Sequence, residues 1–206
     1  MAAALSAAFN TPVAAVLFSL EEIIGDLNAP LIGSTVVSSV ASVVVARSLL
    51  GNEPLFHVPT YQLAHPAELL AYAALGIVGG AVSLLFTTGL LRARMAFRRL
   101  PAWSPPLQPA MGGVVVAVML LVVPQVMGVG YEFVDQALNG GMVWRTMLLL
   151  LAAKVAATLI SYASGNAGGI FAPSLFIGAM LGGVVGTVAH TLAPLQTGTQ
   201  NGRAHV

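Results

Sequence analysis

The sequence predicts an all-α, polytopic integral membrane protein with tilted and broken helices. Charged residues make up only 7% of the 206 residues and hydrophobic residues 57%, and the mean hydropathy is +0.90. A soluble domain carries about 25% charged residues. Some apolar segments are long enough to cross a hydrocarbon core of roughly 30 Å, whereas others are too short. We therefore interpret residues 1–206 as one transmembrane region without a soluble domain.

Charge and composition argue against several other classes of function. A net charge of +1 provides no basic surface for nucleic acid. The chain contains no cysteine, so it has neither disulfides nor thiolate metal sites. Its four histidines are scattered and suggest no metal cluster, and no cofactor is expected. The first residues lack the basic region of a signal peptide and lead directly into apolar sequence, which suggests a fragment.

The first two predicted helices are short or incomplete. Residues 1–9 are typical of the end of a helix made of small residues. Asn10 or Thr11 could cap a second helix over 12–24, with Gly25 just past its end. At about 1.5 Å per residue this second helix rises only about 20 Å, so it is either a half-helix or strongly tilted.

Glu21 and Glu22 lie at the C-terminal end of this second helix. The helix dipole is negative there, so the position is unfavourable for two carboxylates. Taken alone, the residues favour a solvated acidic cap at the membrane surface.

The next segments set the topology. Residues 30–50 form an apolar helix, residues 51–66 a loop, and residues 67–91 a helix long enough to span the membrane with tilt. That helix leads into a cluster of four arginines, Arg92, Arg94, Arg98 and Arg99. The positive-inside rule places this cluster on the cytoplasmic side. The 51–66 loop is then external, and Glu21 and Glu22 lie near the cytoplasmic face.

The second half of the chain alternates linkers with apolar helices. Several prolines make residues 101–109 an inner linker, and residues 110–127 return outward. Residues 128–141 are expected to form a short irregular or half-helical piece. Residues 142–163 and 170–192 are apolar helices, and a polar tail follows them.

Lys154 is the exception in this apolar pattern. It lies about 12 residues into the 142–163 helix, too deep for easy snorkelling, and a buried intramembrane charge usually faces protein or water. Lys154 is either a cation beside an anion path or a side chain packed against backbone carbonyls. We favour the first interpretation.

A glycine-rich turn leads into the last helix. Gly168 and Gly169 let the backbone turn sharply without covering its N–H groups, and Pro173 falls in the first helical turn, where proline is tolerated. The amides of residues 170–172 and the positive end of the helix dipole would attract an anion. No acidic residue follows Asp135, so nothing there repels one. The same residues fit an ordinary helix start with close packing equally well.

Two stretches resemble the CLC family of chloride channels and chloride–proton antiporters. Gly169-Ile170-Phe171-Ala172-Pro173 resembles the GxFxP anion-filter motif of that family. The stretch from Ala8-Phe9-Asn10-Thr11-Pro12 through Glu21-Glu22 resembles a family segment that lies upstream of the motif. Two matches in the right order, about 150 residues apart, are more specific than either alone.

The resemblance implies chloride transport, not an enzyme, with chloride and protons as substrates. It implies an anion site at Gly169, Ile170, Phe171, Ala172 and Pro173, where Ile170 and Phe171 donate N–H groups to chloride. Glu22 matches the inner proton-transfer glutamate of proton-coupled members, and Lys154 would add electrostatic support. The resemblance further implies a homodimer in the bacterial cytoplasmic membrane.

Other family motifs are missing, which keeps alternatives open. The GSGIP-type and GxEGP motifs would precede the first residue, and the later helices would follow the last. The chain would then hold the end of the first half-repeat and most of the second, and would be inactive alone. A passive CLC-type channel is one alternative, and an intramembrane serine hydrolase using Ser164 and His190 is another. Asn166 matches no motif with an assignable role.

Overall fold

The computed structural model describes residues 1–25, 29–51, 56, 66, 68–101, 103–166 and 168–192. The described residues form eight α-helices, a π-helical turn and a 3-10 turn, without a strand. The predicted all-α class is therefore confirmed. Most of the predicted 51–66 loop and the whole polar tail lie outside the described residues. The chain divides into two compact units, Met1–Phe56 and His57–Val206, which we describe separately.

The first unit contains three α-helices. Helix α1 spans Ala2–Phe9, α2 spans Pro12–Phe18 and α3 spans Ala29–Leu50. Both α1 and α2 pack against α3. The predicted helices over 1–9 and 30–50 are thereby confirmed.

Small polar residues bring α1 and α3 together. The buried Ser6 donates from Oγ to the carbonyl of Ser39 at 3.0 Å, and Ser42 Oγ donates to the carbonyl of Ala3 at 2.8 Å. Small side chains permit a close approach of two helices, and hydroxyls bonded to backbone carbonyls add polar contacts across it. The contact between α1 and α3 is therefore compatible with an apolar environment, because these two hydroxyl groups are hydrogen-bonded.

The predicted helix over 12–24 has the expected extent but two kinds of backbone geometry. Helix α2 continues beyond Phe18 as a π-helical turn, Ser19–Ile24. Gly25 closes this turn with φ +68°, and its N–H donates to the carbonyl of Leu20 at 2.9 Å. Thr11 occupies the cap position without making a side-chain cap bond. The change from α to π geometry is the feature that the sequence pattern did not predict.

The second unit is built around a central helix. Its five α-helices are α4 Glu68–Arg98, α5 Gln108–Val122, α6 Tyr131–Leu138, α7 Trp144–Ala163 and α8 Phe171–Leu192. Helix α7 packs against α4, α5 and α8, and α8 also contacts α4 and α6. The core side chains Leu150, Phe176 and Met180 are buried at these contacts. The helices at both ends of the glycine-rich turn are thus held in one packed unit.

Within the part of the chain that the structure describes, four helices are long and apolar enough to cross a membrane: Leu31–Leu50, Glu68–Arg98, Trp144–Ala163 and Phe171–Thr191. Helix α5 is apolar but shorter. Many large apolar side chains on α3 and α4 are exposed, as lipid-facing side chains would be. The structure therefore agrees with the predicted integral membrane protein.

The predicted end of the 67–91 helix is wrong. Helix α4 continues to Arg98, so most of the arginine cluster lies on the helix and not after it. Arginine, methionine and alanine are strong helix formers, and nothing opposes the helix until the chain approaches Pro101.

The predicted outward segment 110–127 is not one continuous helix. Helix α5 stops at Val122, and a 3-10 turn follows at Pro124–Val126. A proline lacks an N–H group and disfavours helical geometry in the residue before it, which accounts for the early stop.

Candidate anion-binding site

The glycine-rich turn reverses the chain between α7 and α8. The N–H groups of Ser164, Gly165 and Asn166 donate to carbonyls in the last turn of α7, at 3.0, 3.3 and 3.2 Å. Gly165 has φ +83°, in the left-handed region that other residues rarely adopt. These contacts direct the following residues, 168–170, to the start of α8.

The predicted anion-site residues lie together at the N-terminus of α8. Gly169 is exposed, Ile170 and Phe171 are 43% and 44% exposed, and Ala172 and Pro173 are half-buried. Proline fits the first helical turn because backbone N–H groups there have no acceptor within the helix. The positive end of the α8 dipole therefore lies at residues that are at least partly exposed.

A cavity of about 200 Å³ lies beside this turn. It is bordered by Gly168, Gly169 and Pro173 on one side and by Lys154 and Thr158 of α7 on another. A water molecule occupies roughly 30 Å³ in the liquid, so the cavity has room for an anion with part of its hydration shell. Its lining, as far as the described residues form it, includes a lysine and no acidic residue.

Lys154 is 3% exposed and packs against backbone carbonyls. Its Nζ donates to the carbonyl of Val126 at 2.9 Å and to that of Gly128 at 2.6 Å. The same Nζ lies 5.0 Å from the centroid of the Phe176 ring. The structure thus shows the packing of this lysine against carbonyls, and Lys154 also lines the cavity beside the glycines. Its electrostatic role stays a prediction.

Glu21 and Glu22 lie in the first unit, within the π-helical turn Ser19–Ile24. Both side chains are exposed. π-helical geometry is rare overall, but where it occurs it is often at a functional site. The structure therefore places the predicted proton-transfer glutamate on an unusual and accessible backbone segment.

Two polar residues around the cavity were not among the predicted site residues. Thr158 and Ser161 border it together with Lys154. The spacing of these residues, i, i+4 and i+7, places them on one face of α7, which is a signal that could have found them. Asn166 was noticed without a role, and it contacts α5 through a bond that no local pattern reveals.

The hydrolase alternative finds no support in this geometry. Ser164 is 1% exposed, and its Oγ donates to the carbonyl of Ser161 at 3.0 Å. His190 lies near the far end of α8, about 28 Å from the first residue of that helix at roughly 1.5 Å per residue. A general base must lie within hydrogen-bond reach of the nucleophile.

Comparison with known proteins decides the family. The sequence model described as "Voltage gated chloride channel" matches residues 1–204. The chain belongs to the voltage gated chloride channel family. This confirms the resemblance that the two sequence stretches indicated.

Relatives within this family include exchangers and channels by name. The chain is 34% identical over 96% of its length to the H(+)/Cl(-) exchange transporter ClcA of Salmonella arizonae, covering 44% of that protein. It is 36% identical over 88% of its length to chloride channel protein CLC-e of Arabidopsis thaliana, covering 28% of it. The crystal structure of a slow cyanobacterial Cl⁻/H⁺ antiporter superimposes with a TM-score of 0.83 at 27% identity, over 97% of this chain and 47% of the antiporter. The chain thus spans less than half the length of these family members.

Proposed function

We propose that this chain is part of a membrane transporter that moves chloride, with the transport coupled to protons. Membership of the voltage gated chloride channel family supports this proposal. The likeness to a protein named as an H(+)/Cl(-) exchange transporter and to a Cl⁻/H⁺ antiporter structure adds support for coupling. A passive chloride channel is the second candidate, because another relative is named a chloride channel protein.

The observation that carries the proposal is the start of α8, where Gly169, Ile170 and Phe171 are exposed. It lies beside a cavity lined by Gly169, Pro173 and Lys154. Helix N-termini and backbone N–H groups bind anions, and half-helix N-termini at membrane depth serve this purpose in transporters. Chloride needs such donors and no side-chain chemistry. The proposal therefore requires neither a cofactor nor a catalytic residue.

We assign proton transfer to Glu22. Its carboxylate can alternate between charged and neutral forms, and its exposure in the π-helical turn leaves it accessible to protons from water. The neighbouring Glu21 shares this exposure but matches only the less diagnostic acidic neighbour in the family segment. The two residues therefore provide a matched pair for testing the assignment.

The proposal extends to architecture and location. Residues 1–206 would supply the end of one half-repeat and most of the other to a larger transmembrane domain, which would act as a homodimer. The cytoplasmic membrane of a bacterium is the proposed location. The arginine cluster Arg92–Arg99 would face the cytoplasm, in agreement with the positive-inside rule.

Two substitutions at Phe171 test the anion site. They are made in the protein expressed from its complete gene, with any native sequence that flanks residues 1–206. Phe171→Pro removes one backbone N–H at the first position of α8, where proline fits a helix. Losing a charge-assisted hydrogen bond costs about 1.5–3 kcal/mol, so chloride affinity should fall by roughly one to two decades. Calorimetric titration with chloride measures this affinity.

Phe171→Ala is the matched control, since it deletes the ring but keeps the N–H group. It should retain most of the chloride affinity. Equal affinity of the Phe171→Pro and wild-type proteins would show that this amide does not touch chloride, and the proposed site would be rejected.

A further inference from the structure

The side chain of Asn166 joins the glycine-rich turn to α5 through a hydrogen bond. The Nδ2 of Asn166 donates to the carbonyl of Pro109 at 3.2 Å and to Ser164 Oγ at 3.1 Å. Pro109 lies in the first turn of α5, so the first bond joins two segments that are far apart in sequence. Asn166 stands two residues before Gly168, where the accessible stretch begins.

The close packing of α5 against the turn supports the contact that Asn166 makes. Ser164 is 1% exposed and Gly112 of α5 is buried against it. A Cβ built on Gly112 would overlap Ser164 Oγ and Cβ and would lie 3.4 Å from Asn166 Nδ2. Only glycine therefore allows α5 to approach the turn this closely. The neighbouring Gly113 has open space where its Cβ would be, so the close approach is specific to position 112.

The glycine-rich turn needs a contact such as this one to hold its backbone in place. Gly168 and Gly169, which lead into α8, are exposed and have no side chain that could hold the backbone in place. Backbone donors stabilise an anion well only when they are held in place before it binds, because ordering them on binding costs free energy. A bond from Asn166 to α5 supplies that hold without placing a charge beside the anion.

We infer that Asn166 is a positioning residue, which fixes the glycine-rich turn against α5 so that the backbone donors at the start of α8 are preorganised for an anion. This inference rests on the proposed chloride site. Asn166 acts through the backbone and does not itself contact the anion.

The test compares Asn166→Ala with Asn139→Ala in the protein expressed from its complete gene. Asn139 is exposed at the end of α6, and its Nδ2 also donates to a backbone carbonyl, that of Asp135 at 2.9 Å. Chloride flux into liposomes is measured against chloride concentration, and again with thiocyanate, a larger anion. The thermal midpoint of each purified variant is recorded.

Asn166→Ala should raise the half-saturating chloride concentration about three- to tenfold, as expected for one lost hydrogen bond. It should also reduce the discrimination between chloride and thiocyanate, because a looser turn accepts a larger ion. Asn139→Ala should leave both quantities unchanged. A lower thermal midpoint with an unchanged half-saturating concentration would mean that Asn166 only stabilises the fold, and would overturn the inference.

If Asn166→Ala cannot be purified in a folded form, Ser164→Ala tests the role of Asn166 instead. It removes one acceptor of the Asn166 amide and leaves the bond to Pro109, so a smaller rise in the half-saturating concentration is expected, and no rise overturns the inference.

The wild-type protein and Phe171→Pro separate this result from the larger proposal. If the wild type carries no saturable chloride flux, the proposed function fails. If its flux responds to Phe171→Pro but not to Asn166→Ala, only the role of Asn166 fails.

Discussion

Two adjacent carboxylates in the π-helical turn, Glu21 and Glu22, differ in proposed role although both are exposed. Neighbouring side chains on a helical turn project at different angles around its axis, so the two carboxylates point in different directions. Only one of them can lead to a given proton path. Replacing each glutamate by glutamine keeps its shape while removing its ability to ionise.

Glu22→Gln should abolish chloride-driven proton movement and spare much of the chloride flux, because a neutral amide cannot take up and release a proton. Glu21→Gln should have a far smaller effect. The measurement is proton uptake by liposomes under an imposed chloride gradient, using protein expressed from its complete gene. Normal coupling in Glu22→Gln would reject the antiporter assignment and leave the passive channel.

Lys154 shows what a sequence can and cannot say about one residue. Its position deep in an apolar segment indicates a buried charge that must face protein or water. Its partners are the carbonyls of Val126 and Gly128, which lie in the irregular segment between α5 and α6. Contacts between distant segments depend on how helices pack, so no periodicity in the chain identifies them. The same limit applies to the bond between Asn166 and Pro109.

Helix ends were predictable where prolines and glycines mark them. The predicted 142–163 and 170–192 helices agree with α7 and α8 within two residues, because a glycine-rich turn separates them. The ends of α4 and α5 do not follow from charge or apolar patterning, because helix propensity extends α4 through most of the arginines and Pro124 ends α5. The π-helical turn was also missed, since apolar patterning does not distinguish it from an α-helix.

Helix α4 offers a direct test of topology. Its 31 residues rise about 46 Å, more than the roughly 30 Å hydrocarbon core, so its two ends should lie on opposite sides of the membrane. Cysteines introduced at the exposed positions Pro66 and Arg98 should react with an impermeant reagent from opposite faces, with position 98 on the cytoplasmic face.

Residues 1–206 contain no cysteine, so the protein without an introduced cysteine is the control that measures any background labelling. Reaction of both positions from one face would show that α4 does not span the membrane. The order of inside and outside segments derived from the arginine cluster would then be discarded.

The helices of this chain leave much apolar surface uncovered by the described residues. Among the candidate spans, the buried share of the most apolar window is 0% in α4, 11% in α3, 22% in α8 and 33% in α7. Lipid can cover apolar side chains, but it cannot satisfy backbone polar groups. The accessible backbone at the start of α8 therefore calls for protein or water around it.

Residues 1–206 expressed alone should consequently carry no chloride flux after purification and reconstitution, and should be poorly stable in detergent. An anion path assembled from several helix ends cannot close when some of them are missing, and exposed backbone at membrane depth would then face lipid. Flux of chloride into liposomes is the measurement, with protein expressed from the complete gene as the positive control. Saturable flux from residues 1–206 that Phe171→Pro abolishes would show that these residues suffice, because a leak through damaged bilayer would not respond to one backbone N–H group. The proposal of a larger transmembrane domain would then be rejected, while the anion site at the start of α8 would stand.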